Sequence, residues 1–487
     1  MHRTIGQRGR TAGGGSMQER VFTLDDQNTF ARLSGDHNAL HVDSVFARRS
    51  LFGGAVVHGI HMVLWALDRC PAMCAGGQSL SSLKVVFKKS LLVGETVSCR
   101  VVSDGPDGVD LEVYDGQRVY TVISACLTKQ PGTSGCKLKP LIAQPTGKVW
   151  VAEDLAGASG ECALGSDSDL AQQLFPQLAR SLPEVQIAEI LATSRLVGME
   201  CPGVHSIFSG LDVKFGSLEP DRCSLAYKVR SFDARFSLLD ITVEGAGMRG
   251  TIKAFLRPAP VVQAAFLGLR DKVSSDEFRG QKSLIVGGSR GLGEVVAKLL
   301  AAGGAKVLLT YHQGEEDARQ VVREISDGGG QAEAMEFNVL DISQRTIQQA
   351  ERFCPTHLYY FATPHISAGD GGFSDSKFVR FCGYYVSGFA ATVECFLKSR
   401  LPVEKVFYPS TVFIDEQPAA FPEYVAAKSA GEMLCRAMEQ SRRGLNIYRP
   451  RLPKMETDQT SAILKKDAHD PVDIMLEQLR TFVTYSR

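Results

Sequence analysis

Apolar and polar residues alternate along "SLKVVFKKSLLVGETV" (82–97), as in a half-buried strand, and the alternation breaks into a turn at Val93-Gly94-Glu95. The same signature returns about 128 positions later in "GLDVKFGSLEP" (210–220), where Leu211, Val213 and Phe215 repeat Leu83, Val85 and Phe87. An apolar helical stretch precedes each copy, "IHMVLWALDRC" (60–70) and "IAEILATSRLVGM" (187–199), and further alternating strands follow at 109–127 and 237–256. One long apolar helix followed by antiparallel strands, twice over, predicts a duplicated α+β unit.

Beyond residue 257 the pattern changes. "KSLIVGGSRGLGEVVAKLLAAGGAKVLLTYHQ" (282–313) reads apolar strand, Gly-rich turn, helix, strand, which predicts a parallel α/β sheet. The chain is therefore expected to divide near residue 270. A leader (1–16) precedes the first α+β unit (17–130), and a Pro/Gly/Lys-bearing linker (131–148) leads to the second (149–260). An α/β domain fills 275–487.

At 487 residues the chain is too long for one core. Lys and Arg total 54, as do Asp and Glu, so bulk charge attracts neither nucleic acid nor an anionic membrane. No apolar run approaches the roughly 20 residues that span a bilayer, and the leader has no apolar h-region, so a cytoplasmic protein is expected. The 12 cysteines lack metal-site spacing; reduced, mostly buried thiols and no bound metal are expected.

"SGDHNALHVDSVFA" (34–47) sets an Asp, two His and an Asn close together ahead of "VVHGIHMVLWAL" (56–67). These stretches, with the strand at 82–97, resemble the MaoC-like, R-specific enoyl-CoA hydratases and dehydratases of the hot-dog fold, whose pattern is S-x-D-x-N-P-x-H-x-D followed by V-H-G. Ala39 stands where that family usually has Pro. The resemblance implies that Asp36 and His41 are the catalytic pair and that Gly59 lies where a backbone N–H meets the thioester carbonyl. The chemistry agrees, because adding or removing water across an enoyl thioester needs one group for the water and one for the α-carbon proton. A helix beginning near Gly59 offers N–H groups to the developing oxyanion. By the repeat offset, Leu164 stands opposite Asp36 and Asp169 opposite His41, so the second copy is expected to supply walls without chemistry.

Residues 282–460 resemble the short-chain dehydrogenase/reductases, including β-ketoacyl reductases. "VGGSRGLGE" stands where that family has T-G-x-x-x-G-x-G, with Val286 in place of Thr. The resemblance implies that Gly287, Ser289, Arg290, Gly291, Leu292 and Gly293 meet the cofactor, with Asn338 at the adenine and Thr457 after the sixth strand. No acid ends the second strand at "VLLTYHQ", and Arg290 can pair with a 2′-phosphate, so NADPH is the expected cofactor. Tyr424 and Lys428 have the Y-x-x-x-K spacing that puts both on one helix face. They are expected to act with a hydroxyl that orients the ketone, Ser410 by preference, although Thr411 also fits. Tyr385 replaces the family's Asn on the fourth helix, and "FATPH" replaces N-N-A-G.

Together these readings predict an α+β double hot-dog followed by an α/β Rossmann domain. The expected function is NADPH-dependent 3-ketoacyl-thioester reduction and (3R)-3-hydroxyacyl-thioester dehydration in fatty-acid or polyketide assembly. Two alternatives stand beside it: a hydratase/dehydrogenase of degradation, and a dehydratase joined to a non-catalytic nucleotide-binding or docking domain. The thioester, on acyl carrier protein or coenzyme A, is expected in trans, with no nucleic acid or membrane partner and a possible homodimer.

Overall fold

The computed structural model describes residues 19–74, 78–105, 108–116, 118–129, 138–142, 146–219, 222–369, 372–399, 401–403, 405–460 and 468–486. The leader and most of the linker expected from the sequence lie outside these residues. Contacts divide the chain between Ala259 and Pro260 into two units.

In the first unit the helix Gly59–Asp68 buries nine of its ten residues, and Glu184–Arg195 buries all but Glu184. Helices this enclosed need a surface to wrap them, and one ten-stranded antiparallel sheet does so. Its strands in chain order are β1 (Arg20–Val21), β2 (Ser79–Phe87), β3 (Thr96–Gly105), β4 (Gly108–Tyr114), β5 (Val119–Thr128), β6 (Ser159–Ala163), β7 (Ser206–Phe215), β8 (Ser224–Asp233), β9 (Leu238–Glu244) and β10 (Met248–Leu256). They lie in the order β1-β3-β4-β5-β2-β7-β10-β9-β8-β6, which is mirrored about the β2/β7 junction. Each half is a hot-dog: a buried helix in the curve of an antiparallel sheet. The repeated Leu83, Val85, Leu211 and Val213 all face the core, each no more than 2% exposed.

At the junction Leu83 pairs with Val213, Lys84 with Asp212 and Val85 with Leu211. Lys84 and Asp212 occupy the same place in the two copies, so a pseudo-twofold axis passes between them. Their side chains form an exposed ion pair at 3.7 Å. The copies drift apart in register ahead of the helices. Arg20 of β1 pairs with Val97, and Cys162 of β6 pairs with Leu225, the counterpart of Val97. The start of the second copy is therefore displaced further than its strands. The counterpart of the Asp36–His41 turn then falls in "FPQLARSLP" (175–183), not at Leu164 and Asp169; the second copy is shorter between β6 and its buried helix than the first is between β1 and its own, which defeats a constant offset. The stretch still holds neither acid nor imidazole.

The second unit has a six-stranded parallel sheet in the order Gln331–Glu336, Lys306–Tyr311, Lys282–Val286, His357–Tyr360, Lys405–Phe407, Asn446–Tyr448. Successive strand residues serve opposite faces. Ile285, Leu309 and Phe407 pack with the helices Gly291–Ala302 and Pro471–Thr484, while Leu284, Leu308 and Val406 pack with Phe389–Lys398 and Pro422–Ser441. This is the Rossmann arrangement. No helix among the described residues is long and apolar enough to cross a membrane. Nine described cysteines are free, but Cys223 is disulfide-bonded, against the expectation of reduced thiols throughout.

One side chain ties the copies together below the surface. Gln186, on the second buried helix, donates to the Leu80 carbonyl and accepts from the Leu80 N–H, both at 2.9 Å. Gln186→Leu orphans two buried backbone groups at about 1–3 kcal/mol each. The urea midpoint of this unit's unfolding should fall accordingly, and an unchanged midpoint would deny the bond its role.

Candidate functional site

The helix Leu24–Ser34 is held at its start by a Thr23/Asp26 capping box and ends at Gly35, which adopts a left-handed φ of 74°. The chain turns sharply there, which drives Asp36 into the interior at 2% exposure. Asn38 then caps the next helical turn, Ala39–Val42, through Leu40 N, and its amide donates to the carbonyls of Gly198 and Val204 in the second copy. His41 sits on that turn with Nδ1 2.7 Å from the Val56 carbonyl. Nδ1 must carry the proton, so Nε2 presents a lone pair.

Two donors reach the Asp36 carboxylate. Ser194 Oγ donates to Oδ2 at 2.7 Å and Asn38 N to Oδ1 at 3.3 Å. Gly198 lies so close that an added Cβ would stand 2.1 Å from Oδ1. Burial raises the Asp36 pKa, against the opposing pull of His41, Ser194 and Asn38. Burial lowers that of His41, with Asp36 and the Val56 carbonyl opposing. Both shifts favour the neutral pair, a carboxylic acid beside a basic imidazole.

His58, the residue before the Gly59 helix, is part of the same assembly. Its ring stacks on His41 at 3.9 Å. Nδ1 lies 2.9 Å from Gln27 Oε1 and Nε2 3.0 Å from the Asp36 carbonyl. Burial, with His41 alongside, holds its pKa well below the ordinary value. Donor atoms of Asp36, His41 and His58 lie within 4.8 Å of one another. Because three of the four ring nitrogens already face oxygen acceptors, the group falls short of the three protein ligands a zinc site needs.

Asp36, His41 and Gly59 line one cleft. Gly59 opens the buried helix, whose first turn has no side-chain cap, and a Cβ there would meet the Phe87 ring at 2.8 Å. Phe87 and Phe208, from β2 and β7, meet edge to face at the cleft, with ring centres 5.2 Å apart. Ser194, Gly198 and Ile207 complete it from the second copy. The degenerate copy thus gives more than walls, since its Ser194 hydroxyl bonds the carboxylate directly.

In the second unit, Gly287 has a φ of 83° and Gly291 one of 59°, and a Cβ on Gly293 would lie 2.1 Å from the Gly287 carbonyl. The turn therefore needs its glycines to bring helix Gly291–Ala302 against the strand. Thr310 closes the turn: its Oγ1 accepts from Gly287 N at 3.1 Å and its carbonyl accepts from Gly288 N. The helix has no side-chain cap, so its first-turn N–H groups remain available to an anion. Ser289 is buried, Leu292 packs on the core, and Thr457 faces Gly291 across the turn. Arg290 Nη1 lies 3.6 Å from Asp458 Oδ2, so a 2′-phosphate would compete with that acid for it. Asn338 Oδ1 accepts from Leu340 N.

Tyr424 and Lys428 lie on the helix Pro422–Ser441. The structure places the Thr411 hydroxyl on Tyr424, whereas Ser410 Oγ turns away and donates to Glu432 Oε1 at 2.5 Å. Glu432 is itself held by both ends of the Arg451 guanidinium. The preference for Ser410 is thereby reversed: adjacent strand residues point to opposite sides, and the Glu432–Arg451 pair claims the first of them. Lys428 Nζ donates to the Pro409 carbonyl at 2.6 Å and sits 4.0 Å from the centre of the Tyr385 ring. Burial brings its pKa down to about 7 and pushes Tyr424 up to about 12, so the phenol is not acidified here. Tyr385 Oη meets Thr363 Oγ1 at 2.5 Å, and Thr363 in turn donates to the Pro364 carbonyl.

Two family models match, each over part of one unit. Residues 13–125 match the family model for the MaoC like domain and residues 281–358 that for the short chain dehydrogenase. The chain joins a MaoC-like domain to a short-chain dehydrogenase domain. The dehydrogenase domain is 27% identical to 3beta-hydroxysteroid dehydrogenase 1 of Eggerthella lenta over 188 residues, 35% of this chain and 69% of that protein. It is 42% identical to 3-oxoacyl-(acyl-carrier-protein) reductase of Synechocystis over 64 residues, 13% of this chain and 26% of that protein. The chain thus spans from about a quarter to about two thirds of these relatives. A short chain dehydrogenase from Burkholderia cenocepacia, solved in complex with NADP, aligns at 21% identity and a TM-score of 0.36, covering 41% of this chain and 89% of that one.

The Ser194 bond has a measurable consequence in the MaoC-like domain. A donor to the ionised carboxylate favours ionisation, so Ser194→Ala should move the Asp36 titration to higher pH, read from its side-chain carbonyl ¹³C shift. A titration that stays in place or moves to lower pH would contradict the assigned contact.

Proposed function

We propose that the chain is a bifunctional enzyme of acyl-thioester assembly, a 3-ketoacyl-thioester reductase and (3R)-3-hydroxyacyl-thioester dehydratase. The observation that carries the reading is the pairing of a buried acid with an imidazole lone pair at the uncapped start of the Gly59 helix. In dehydration His41 Nε2 takes the α-carbon proton, and charge gathers on the thioester oxygen near the Gly59 N–H. Asp36 gives its proton to the β-hydroxyl, which leaves as water while the double bond forms. The thioester on acyl carrier protein or coenzyme A arrives in trans, and a cytoplasmic setting suits both carriers.

NADPH fits the dehydrogenase domain. The glycine turn allows close backbone approach, the uncapped helix start meets a pyrophosphate, and no acid ends the strand Lys306–Tyr311. Gly287, Ser289, Arg290, Gly291, Leu292, Gly293, Asn338 and Thr457 would hold the dinucleotide. When bound it supplies a hydride. Thr411 orients the ketone, Tyr424 gives the proton to its oxygen, and Lys428 stays below the phenol.

One observation favours a second reading, a dehydrogenase fold that binds nucleotide without reducing a ketone. The Tyr385 hydroxyl is tied into a chain that ends at the Pro364 carbonyl, and Lys428 is engaged by a carbonyl and a ring. Proton supply to Tyr424 then has no evident route through Tyr385. NADPH binding in calorimetry with no oxidation in the presence of acetoacetyl thioesters would select this reading.

Two expectations separate the halves. Asp36→Asn and His41→Ala should each abolish enoyl product while 3-hydroxyacyl thioester accumulates, followed by mass spectrometry; enoyl product at the parental rate would remove both residues from the mechanism. In the reductase half, Tyr424→Phe should stop NADPH oxidation with NADPH affinity kept, and Thr411→Ala should slow it far more than Ser410→Ala. The opposite order at 410 and 411 would return the orienting role to Ser410.

A further inference from the structure

Arg257, just past the end of β10, is 2% exposed, and no carboxylate among the described residues pairs with it. Its backbone N donates to the His205 carbonyl, and Nη2 donates to the Val204 carbonyl at 2.7 Å. Nε and Nη1 are buried and have no hydrogen-bond partner, and neither has Nδ1 of the adjacent His205. A buried cation without a counter-ion costs several kcal/mol, and a Met of similar reach would avoid that cost. Burial alone lowers the guanidinium pKa to about 10, which leaves it charged at neutral pH.

The location gives these unpaired donors meaning. Val204 O also accepts from Asn38, the residue that caps the His41 turn, and Ser206 and Ile207 line the cleft. The guanidinium therefore lies behind the second-copy wall, close enough to His41 to bear on its titration. Over it, 6.0 Å away, stands the half-buried ring of Phe46 on the four-residue helix Ser44–Ala47, the segment that follows His41.

We infer that Arg257 and His205 form a carboxylate subsite for the distal end of the acyl group, covered by Phe46 when no ligand is present, so that the dehydratase prefers thioesters whose acyl chain carries a second carboxylate. The inference rests on the thioester reading of the cleft. A carboxylate can accept two parallel N–H bonds from Nε and Nη1, the geometry guanidinium favours. A carrier phosphate stays in water at the mouth and does not fit a cation so deeply enclosed. Phe46, half-buried on a short helix, swings outward as the carboxylate enters, exchanging a cation–π contact for an ion pair.

The test compares 3-hydroxyadipyl-CoA with 3-hydroxyhexanoyl-CoA of the same C3 configuration, on the full chain. The native protein should favour the adipyl thioester in kcat/KM by about 10- to 100-fold, the range for hydrogen bonds to a charged group. Arg257→Gln should bring the ratio near one, and Phe46→Ala should raise it. Equal losses on both thioesters, restored when N-acetylcysteamine thioesters replace them, would mean that Arg257 reads the carrier phosphate and would overturn the inference. An unchanged ratio would also overturn it. Calorimetric binding of both thioesters to Asp36→Asn separates the two readings. If no substrate is dehydrated by the native protein, the functional proposal fails, yet the binding ratio still decides the role of Arg257. Should Arg257→Gln not fold, the Phe46→Ala ratio decides alone.

Discussion

The antiparallel pairing of β2 with β7 is the contact on which the MaoC-like half depends. It fuses two curved sheets into one and fixes the second buried helix beside the first. Everything unusual about Asp36 follows from that placement. Ser194 and Gly198 come from the far copy, and Gly35 turns against the Arg195 side chain, where an added Cβ would lie 2.8 Å from its Cδ. The second copy has no acid or imidazole in its own turn, yet it is not free to drift, because the first copy's carboxylate is solvated by its hydroxyl and seated on its glycine. The pair on the pseudo-twofold axis shows what duplication within one chain permits. In a dimer of identical chains each residue on the axis meets itself, as in any isologous contact. Here Lys84 meets Asp212.

What the sequence revealed follows from how locally each feature is encoded. Strand alternation made the repeat legible, and Leu83, Val85, Leu211 and Val213 lie in the core as their period requires. Asp36 and His41 were legible because acid, imidazole and turn residues fall within one short stretch. Ser194 was not, since a Ser in an apolar helix looks like any other and its partner lies 158 positions away. Arg257 was equally silent; a single Arg after a strand reads as surface until the fold buries it. The Leu164 and Asp169 correspondence failed for a different reason. A shortening of the chain ahead of the second helix leaves strand register intact but shifts everything before it.

In the dehydrogenase half the glycine turn and the Y-x-x-x-K helix were legible, while the choice of hydroxyl was not. Ser410 and Thr411 differ by one strand position, and what separates them is the pairing of Arg451 beside Ser410 and the Glu432 carboxylate that Arg451 holds. Tyr385 could be seen to replace an Asn, but only the structure shows the result: a ring under the Lys428 ammonium and a hydroxyl turned toward Thr363. The substitution exchanges a polar relay for a cation–π contact, which anchors charge without carrying protons.

The treatment of buried cations separates scaffold from site. Lys298, on the back of the glycine-turn helix, is 2% exposed and meets Glu294 and Glu324, both at 2.8 Å. Its charge is cancelled, and nothing further need approach it. Lys428 and Arg257 are buried to a similar degree but are held by carbonyl oxygens and aromatic rings. Carbonyls and rings offset part of the desolvation of a cation without neutralising it; Arg257, still charged at neutral pH, retains an unspent attraction for negative charge, while Lys428, with its pKa brought down to about 7 and Glu432 acting on it, is charged only in part there. A scaffold gains nothing from such an arrangement, since a neutral side chain of the same shape would be cheaper to bury. Beside a candidate nucleotide site and beside a candidate thioester cleft, the residual charge has an evident use: negative charge that arrives with a ligand finds a donor already dehydrated and already in place.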